Sequence, residues 1–193
     1  MVAEEHPDGA VKAAALDLAA DYFNLFALER NYDVDLAAIA VRFRVLQREL
    51  HPDRHVAGSA AERRWSMQAS SYVNDAHDTL RRPLKRAVYL LSLAGISTDE
   101  ETDTRMDPMF LMEQMELREA IESAPTAADP YASLRAVSRQ LSAATSSEED
   151  SFRQASGKGQ WDEARDVVRR WQFLDKLSRE VSALEARLDD EVS

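Results

Sequence analysis

The chain of 193 residues contains no cysteine. It therefore cannot form a disulfide, a thiolate zinc site, a cysteine-ligated iron–sulfur cluster or a cysteine nucleophile. It also lacks a long apolar run, since none approaches the roughly 18 residues that a membrane-spanning helix needs. Lysine and arginine are in deficit, 24 against 35 aspartates and glutamates, and the net charge is −11 at pH 7. This acidity argues against nucleic acid or an anionic membrane as a partner.

Glycine and proline are also scarce, with five and six residues. Most of them fall between stretches in which apolar residues recur at helical spacing. No strand-like alternation is present, and the single hairpin-type dipeptide, Asp8-Gly9, has no strand-like run on either side. The sequence therefore predicts an all-α protein. The hydrophobic share of 45% is enough for a buried core. Because the N-terminus resembles neither a secretory signal nor an arginine-rich transit peptide, we expect a cytoplasmic protein.

The same spacing predicts seven helices. They cover about 21–28, 35–50, 59–80, 83–94, 107–123, 129–141 and a long last helix after the turn at 157–159. Asp35 has the character of an N-cap, Ser59 and Glu62 form a capping box, and Gly95 ends the fourth helix. The pattern leaves open how far the sixth helix extends across 146–150. The acidic stretch 96–106 is predicted to link two domains, 21–95 and 107–193, with residues 1–20 as a tail.

Charge is distributed unevenly between the two predicted domains. Residues 42–86 carry ten lysines and arginines against five aspartates and glutamates, whereas residues 99–122 carry two against nine. A basic front and an acidic rear can attract each other, or each can serve a different partner.

The sharpest local motif is the tripeptide His51-Pro52-Asp53, which follows an amphipathic helix with arginines off its apolar face. Proline disfavours helix at the residue before it, so the helix should end near Leu50 or His51 and leave the motif on an exposed loop. The tripeptide alone is a weak signal. His6 begins a second copy in an acidic stretch without a preceding helix, and we assign that copy no role.

The surroundings of His51-Pro52-Asp53 are more specific than the tripeptide itself. The stretches DYFNLFAL, FRVLQRELHPDR and YVNDAHDTLRRPLKRAVYLL resemble the J-domain, the four-helix module of DnaJ-type co-chaperones. The matching positions are Tyr22, Leu25, Phe26, the loop at 51–53, Asn74, Ala76, Leu80, Pro83, Arg86 and Tyr89. In that family the basic second helix and the HPD loop dock on a DnaK-type ATPase and stimulate its hydrolysis of ATP. The resemblance implies that the chaperone-binding residues are His51, Pro52, Asp53, Arg44, Arg48 and Arg54, the last standing where many members have lysine.

The second informative stretch is MFLMEQMELREAIE at 109–122. On a helical wheel Phe110, Leu117 and Ile121 share one line and suffice for a core stripe, while further apolar residues lie a quarter-turn or more away. In a three-helix bundle, burial on both sides of one helix is unexpected. The sequence therefore favours a partner-binding face here, and Phe173, turned away from the stripe of the last helix, is a weaker hint of the same kind.

FLMEQMELRE at 110–119 and RRWQFLDKL at 169–177 extend the resemblance to HscB, the J-protein family dedicated to iron–sulfur cluster biogenesis. In that family the C-terminal three-helix bundle binds the cluster scaffold IscU through a hydrophobic patch with acidic neighbours, and the J-domain serves an HscA-type chaperone. The resemblance implies scaffold-binding residues Leu111, Met112, Met115 and Phe173, with Glu116 and Glu119 beside them. Ser123 stands where some relatives have an acidic residue, and the resemblance begins only at about Asp21.

Three other interpretations compete with this one. An enzyme could use His51 and Asp53 as acid and base, but the loop lacks a third orienting group, a nucleophile and a pocket signature. A J-protein could deliver a different client, and only the 110–119 and 173 patch separates this case from HscB. A structural coiled coil is disfavoured because Gly157 and the linker interrupt the heptad-like spacing. We predict no catalysis by the chain itself, no bound cofactor and no metal site.

Overall fold

A computed structural model describes residues 17–51, 59–98 and 108–192 of the chain. Every regular element in these ranges is helical, which confirms the predicted all-α class. The α-helices are α1 (Tyr22–Leu25), α2 (Leu36–Leu50), α3 (Ala60–Arg81), α4 (Pro83–Leu93), α5 (Pro108–Ser123), α6 (Pro130–Gly157) and α7 (Trp161–Val192). A short 3-10 helix, Ala124–Thr126, follows α5.

The predicted helix starts are confirmed by the capping geometry. The Asp35 carboxylate accepts the backbone N–H groups of the second and third residues of α2. At the start of α3, Ser59 Oγ accepts the Glu62 N–H at 3.2 Å while the Glu62 carboxylate accepts the Ser59 N–H at 2.6 Å. At the start of α6 the Asp129 carboxylate accepts the Ala132 N–H at 2.8 Å. Because these side chains satisfy N–H groups that have no helical partner, they determine where each helix begins.

Two helices differ in length from the pattern-based expectation. The first is shorter, because Ala27 adopts a left-handed backbone with φ of 56° and Leu28 N–H turns back to the Phe23 carbonyl at 2.9 Å. This closes α1 after one turn. The sixth is continuous across 146–150, where Arg153 forms ion pairs with Glu149 and Asp150 within one turn.

The chain divides into two compact units, one ending at Arg86 and the other beginning at Ala87. This division falls inside α4, whereas the sequence places the boundary at 96–106, so the domain bounds drawn from the sequence stay a prediction. In the N-terminal unit, α2 and α1 both pack on α3. Its buried apolar side chains are Phe23, Leu25, Phe26, Tyr32, Ile39, Leu46, Leu50, Ala69, Val73, Ala76 and Leu80.

In the C-terminal unit, α6 and α7 form a long helical hairpin, and α5 lies against α6. The turn between the two long helices contains Gly159 with φ of 70°, a left-handed conformation that favours glycine. The buried cluster that joins all three helices consists of Leu117, Ile121, Ala124, Leu134, Val137, Leu141, Leu174, Leu177 and Val181. This hairpin is the support on which α5 is displayed.

A histidine stack joins α2 and α3 to Phe26, the residue that follows α1. The His77 ring of α3 lies parallel to Phe43 of α2, with centroids 3.8 Å apart, and it also stacks on Phe26 at 6.4 Å. Burial, and then the positive charge of Arg81, lower the pKa of His77 from its ordinary 6.5, against an opposing effect of Asp78. The folded unit therefore holds this ring in its neutral form.

Acidification is expected to destabilise the N-terminal unit through His77. The pKa of His77 in the folded protein lies below 6.5, so above pH 6.5 the neutral ring contributes fully to the free energy of unfolding. That contribution is lost as the pH falls below this value, because the unfolded chain takes up the proton more readily than the folded chain. The measurement is hydrogen exchange of α2 and α3 amides between about pH 7.5 and 5.5, corrected for the intrinsic exchange rate. His77→Phe, which keeps an aromatic ring, should lose less protection than the wild type. Equal losses would contradict the prediction.

Candidate functional site

The first candidate surface is the end of α2, where the chain leaves the helix. Leu50 is the last helical residue, and His51 has an extended ψ of 129°. This confirms the predicted end of the helix, which follows from Pro52 because proline disfavours helix at the preceding residue. His51 is exposed, whereas Pro52, Asp53 and Arg54 lie outside the described residues.

Two serines from α3 hold the carbonyl group at this end. The Leu50 carbonyl accepts hydrogen bonds from Ser66 Oγ at 2.8 Å and from Ser70 Oγ at 3.2 Å. In a longer helix this carbonyl would accept from the residue four further on, but α2 has already ended, so side chains of the neighbouring helix take that role. Ser66 is fully buried, and its hydroxyl therefore depends on this contact. The two bonds hold the C-terminal end of α2 against α3.

A shallow cleft opens beside His51. Its volume is about 350 Å³, and its lining residues are Gln47, Leu50, His51, Ser70, Val73 and Asn74. Gln47 Nε2 donates to Asn74 Oδ1 across the cleft at 3.2 Å, so a second polar contact joins α2 to α3 at this end. The cleft can accept a partner's side chain next to His51, and the same α2–α3 contacts that hold the end of α2 line it.

Basic side chains continue from this cleft along α2. Arg44, Arg48 and His51 are exposed, and their spacing of four and three residues places them on one side of the helix. The structure therefore brings together three of the six predicted chaperone-binding residues. A positive stripe that ends at an exposed imidazole suits an acidic partner surface.

The second candidate surface is α5. Phe110, Leu117 and Ile121 are buried, which confirms the predicted core stripe. Leu111, Met112 and Met115 are exposed by 44%, 61% and 71%, so this helix presents a second apolar face to solvent. Met109, exposed by 69%, extends that face and was absent from the predicted site. Because Met109 lies three residues before Met112, about one helical turn away, helical spacing alone could have predicted that it belongs to this face.

Phe173 joins this face to the core. Its ring on α7 is half-buried and meets Phe110 edge to face, with centroids 5.8 Å apart and an interplanar angle of 80°. The Arg118 guanidinium of α5 lies 5.6 Å from the ring centroid. Phe173 therefore serves partly as packing for α5 and partly as exposed apolar surface.

A ridge of carboxylates runs along α5 beside the methionines. Glu113, Glu116, Glu119 and Glu122 follow one another at intervals of three residues, and all are exposed. Ser123 is exposed as well, with its hydroxyl donating to the Ala120 carbonyl at 3.3 Å. The face thus combines exposed apolar side chains with a negative border, which suits a partner with an apolar surface and basic neighbours.

These two surfaces are built from side chains that project from helices into solvent. Within the part of the chain that the structure describes, no three histidine, aspartate or glutamate side chains are placed to share a metal ion. In those same ranges no helix combines the length and apolarity needed to cross a bilayer. In the described residues the fold is that of an all-helical protein that displays a basic stripe on α2 and an apolar face with an acidic border on α5.

Comparison with known proteins agrees with this class and narrows it. The family model of the HSCB C-terminal oligomerisation domain matches residues 106–182. The co-chaperone protein HscB homolog of Vibrio cholerae is 40% identical over 168 residues, covering 87% of this chain and 98% of its own length. The chain belongs to the HscB family of co-chaperones.

Solved structures give the same result. The chaperone HscB from Vibrio cholerae has a TM-score of 0.79 at 38% identity, covering 88% of this chain and 99% of its own. Human co-chaperone protein HscB has a TM-score of 0.81 at 32% identity, covering 89% and 85%. The Jac1 co-chaperone from Saccharomyces cerevisiae shares the fold, with a TM-score of 0.62 at 18% identity and coverage of 84% and 97%.

Removing both serine hydroxyls should loosen the end of α2. In Ser66→Ala/Ser70→Ala the Leu50 carbonyl loses two donors in a largely buried position, which costs about 1–3 kcal/mol of local stability. Hydrogen exchange of α2 amides measures this loss directly. Ser71→Ala is the matched control, because Ser71 is exposed on the same helix and should change stability by less than about 0.5 kcal/mol. Equal exchange in both variants would show that the two hydroxyls do not hold the helix end.

Proposed function

We propose that this protein stimulates the ATPase of an HscA/DnaK-type chaperone through its HPD loop and delivers the iron–sulfur scaffold IscU to that chaperone in the cytoplasm. The chain itself performs no catalysis and needs no cofactor, and an iron–sulfur cluster is cargo on the scaffold. The observation that carries the proposal is the exposed apolar face of α5, supported from below by Phe173 and bordered by carboxylates. Membership of the HscB family supports both parts of the proposal.

The basic stripe of α2 supports the chaperone-binding part. Arg44 and Arg48 project from the helix on the side that leads to His51. Such charges attract an acidic surface and speed the encounter. In the loop, Pro52 restrains the backbone between its neighbours, so less conformational freedom is lost on binding. The Asp53 carboxylate can then accept a charge-assisted hydrogen bond from a partner arginine.

The exposed face of α5 supports the scaffold-binding part. Large apolar side chains cluster there on one helix, and such a cluster marks a contact surface for another protein. Methionine suits that surface because its unbranched, polarizable side chain adapts to a partner. Glu116 and Glu119 add a negative border that selects a scaffold with basic residues around its apolar contact.

Placing both surfaces on one chain couples the two binding events. A scaffold held by the C-terminal unit is delivered at high local concentration to a chaperone held by the N-terminal unit, and the reverse is also true. Arrival of the client and stimulation of hydrolysis then occur in one complex. No new chemistry is required of the co-chaperone.

Replacing Asp53 should abolish ATPase stimulation and leave scaffold binding intact. Asp53→Ala removes the carboxylate that meets the chaperone, while α5 is unchanged. The measurement is single-turnover hydrolysis by the HscA-type chaperone at increasing co-chaperone concentration, with scaffold affinity measured in parallel. Asp8→Ala is the matched control, because Asp8 closes the other HPD tripeptide. Stimulation that survives Asp53→Ala, or that falls equally with Asp8→Ala, would contradict the assignment.

Truncating the exposed face of α5 should weaken scaffold binding and spare basal stimulation. Leu111→Ala/Met115→Ala removes two apolar anchors, so calorimetric titration with IscU should show an affinity about tenfold to a thousandfold lower. Both side chains are exposed, so the fold should persist; Phe173 is a poorer choice because it packs against Phe110. Met67→Ala, which removes an equally exposed apolar side chain from α3, should bind like the wild type.

The outcome of the wild-type titration decides the client. Saturable binding that is lost in Leu111→Ala/Met115→Ala would support IscU as the client of the C-terminal unit. If neither empty nor cluster-loaded scaffold binds, the protein is a co-chaperone for a different client and the iron–sulfur proposal is wrong. Stimulation of the chaperone by the unbound co-chaperone would be unaffected by that result.

A further inference from the structure

The sulfur atoms of this protein are unusually distributed. The chain has six methionines and no cysteine, so every sulfur is a thioether. Four of the six methionines lie within ten residues, at positions 106, 109, 112 and 115, separated by intervals of three. Met106 lies outside the described residues, and the other three belong to α5. Half of the sulfur atoms of the chain therefore lie on α5.

None of the described methionines belongs to the buried core. The buried apolar residues of the described ranges are aliphatic or aromatic and include no methionine. Met109, Met112 and Met115 are instead exposed by 61–71%, and their spacing spreads them over about 120° of the helix surface. Leucine would supply the same apolar area, so the use of methionine at these positions adds a chemical property that leucine lacks.

That property is reversible oxidation. Hydrogen peroxide transfers one oxygen atom to the thioether sulfur, which gives a sulfoxide and water, and the sulfur is oxidised as the peroxide is reduced. Accessible thioethers react in preference to buried ones, and methionine sulfoxide reductases restore the sulfide. The sulfoxide is polar and carries a strong hydrogen-bond acceptor. Burying it against an apolar surface without a donor is unfavourable, so an oxidised face should dock poorly.

We propose that Met112 and Met115 are a peroxide-sensitive modification site whose reversible conversion to sulfoxide turns off scaffold docking. This inference rests on the proposed function, because it assigns a regulation to the face that binds the scaffold. Leu111 keeps its apolar surface during oxidation, while the two thioethers change polarity. Oxidation of these two side chains should leave the fold intact, since neither contributes to the buried core.

The test uses the full chain, treated with hydrogen peroxide and then with catalase before any partner is added, so that only this protein is oxidised. Peptide mass spectrometry identifies the oxidised methionines, and calorimetric titration measures scaffold affinity before treatment, after treatment and after both stereospecific sulfoxide reductases. We expect oxidation at 112 and 115, an affinity lowered about tenfold or more, and recovery after reduction. Unchanged helical circular dichroism will show that the fold persists.

Two variants separate this site from other methionines. Each is compared with itself before and after peroxide, so its own starting affinity does not matter. In Met112→Leu/Met115→Leu the loss of affinity on oxidation should be much smaller than in the wild type, and Met109, which lies on the same face, accounts for the loss that remains. Met67→Leu removes an exposed methionine of α3 and should lose affinity on oxidation as the wild type does.

The possible failures are distinguishable. If untreated protein does not bind the scaffold, the proposed function is wrong and the regulation falls with it. If untreated protein binds and complete oxidation at 112 and 115 leaves affinity unchanged, only the present inference is overturned. A leucine double variant that loses as much affinity as the wild type would overturn it as well.

Discussion

The exposed apolar face of α5 depends on one constraint: a helix packed on a two-helix hairpin can bury only one of its sides. Phe110, Leu117 and Ile121 take the buried side of α5. The apolar residues between them must then face solvent, because α6 and α7 offer no second surface to cover them. This exposed apolar side is the face to which the proposed function assigns scaffold binding. The position of the face is therefore a consequence of how α5 packs.

The hairpin has to be firm for this arrangement to work. Arg170 of α7 pairs with Glu148 of α6 through two hydrogen bonds of 2.9 Å, in a partly buried setting. Such a two-point contact restrains both the distance and the register of the helices. Phe173 lies about one turn beyond Arg170, so the restraint also governs where the ring meets Phe110. A charged pair about one turn earlier on α7 thus helps to position the apolar contact of Phe173.

Much of this could be predicted from the sequence, because the relevant information is local. The side chains of Asp35 and Ser59 cap the helices that follow them, so these helix starts can be predicted from the residue types. The buried stripe of α5 follows from the spacing of its apolar residues alone. The contacts that hold the end of α2 are different. Ser66 and Ser70 bond to a carbonyl 16 and 20 residues away, and nothing in their neighbourhood signals it. The early end of α1 depends on a left-handed alanine, a position where glycine would have been the usual clue.

The acidic ridge of α5 resolves a difficulty that the apolar face creates. An exposed apolar surface tends to associate with any similar surface, including that of a second copy. If two copies met through this face, Glu113, Glu116 and Glu119 of each would be brought near the same residues of the other, and this like-charge contact is unfavourable. A partner with basic residues around an apolar contact would instead be attracted by these carboxylates. The same carboxylates would therefore oppose self-pairing and favour a basic partner, so that repulsion and attraction both contribute to selectivity.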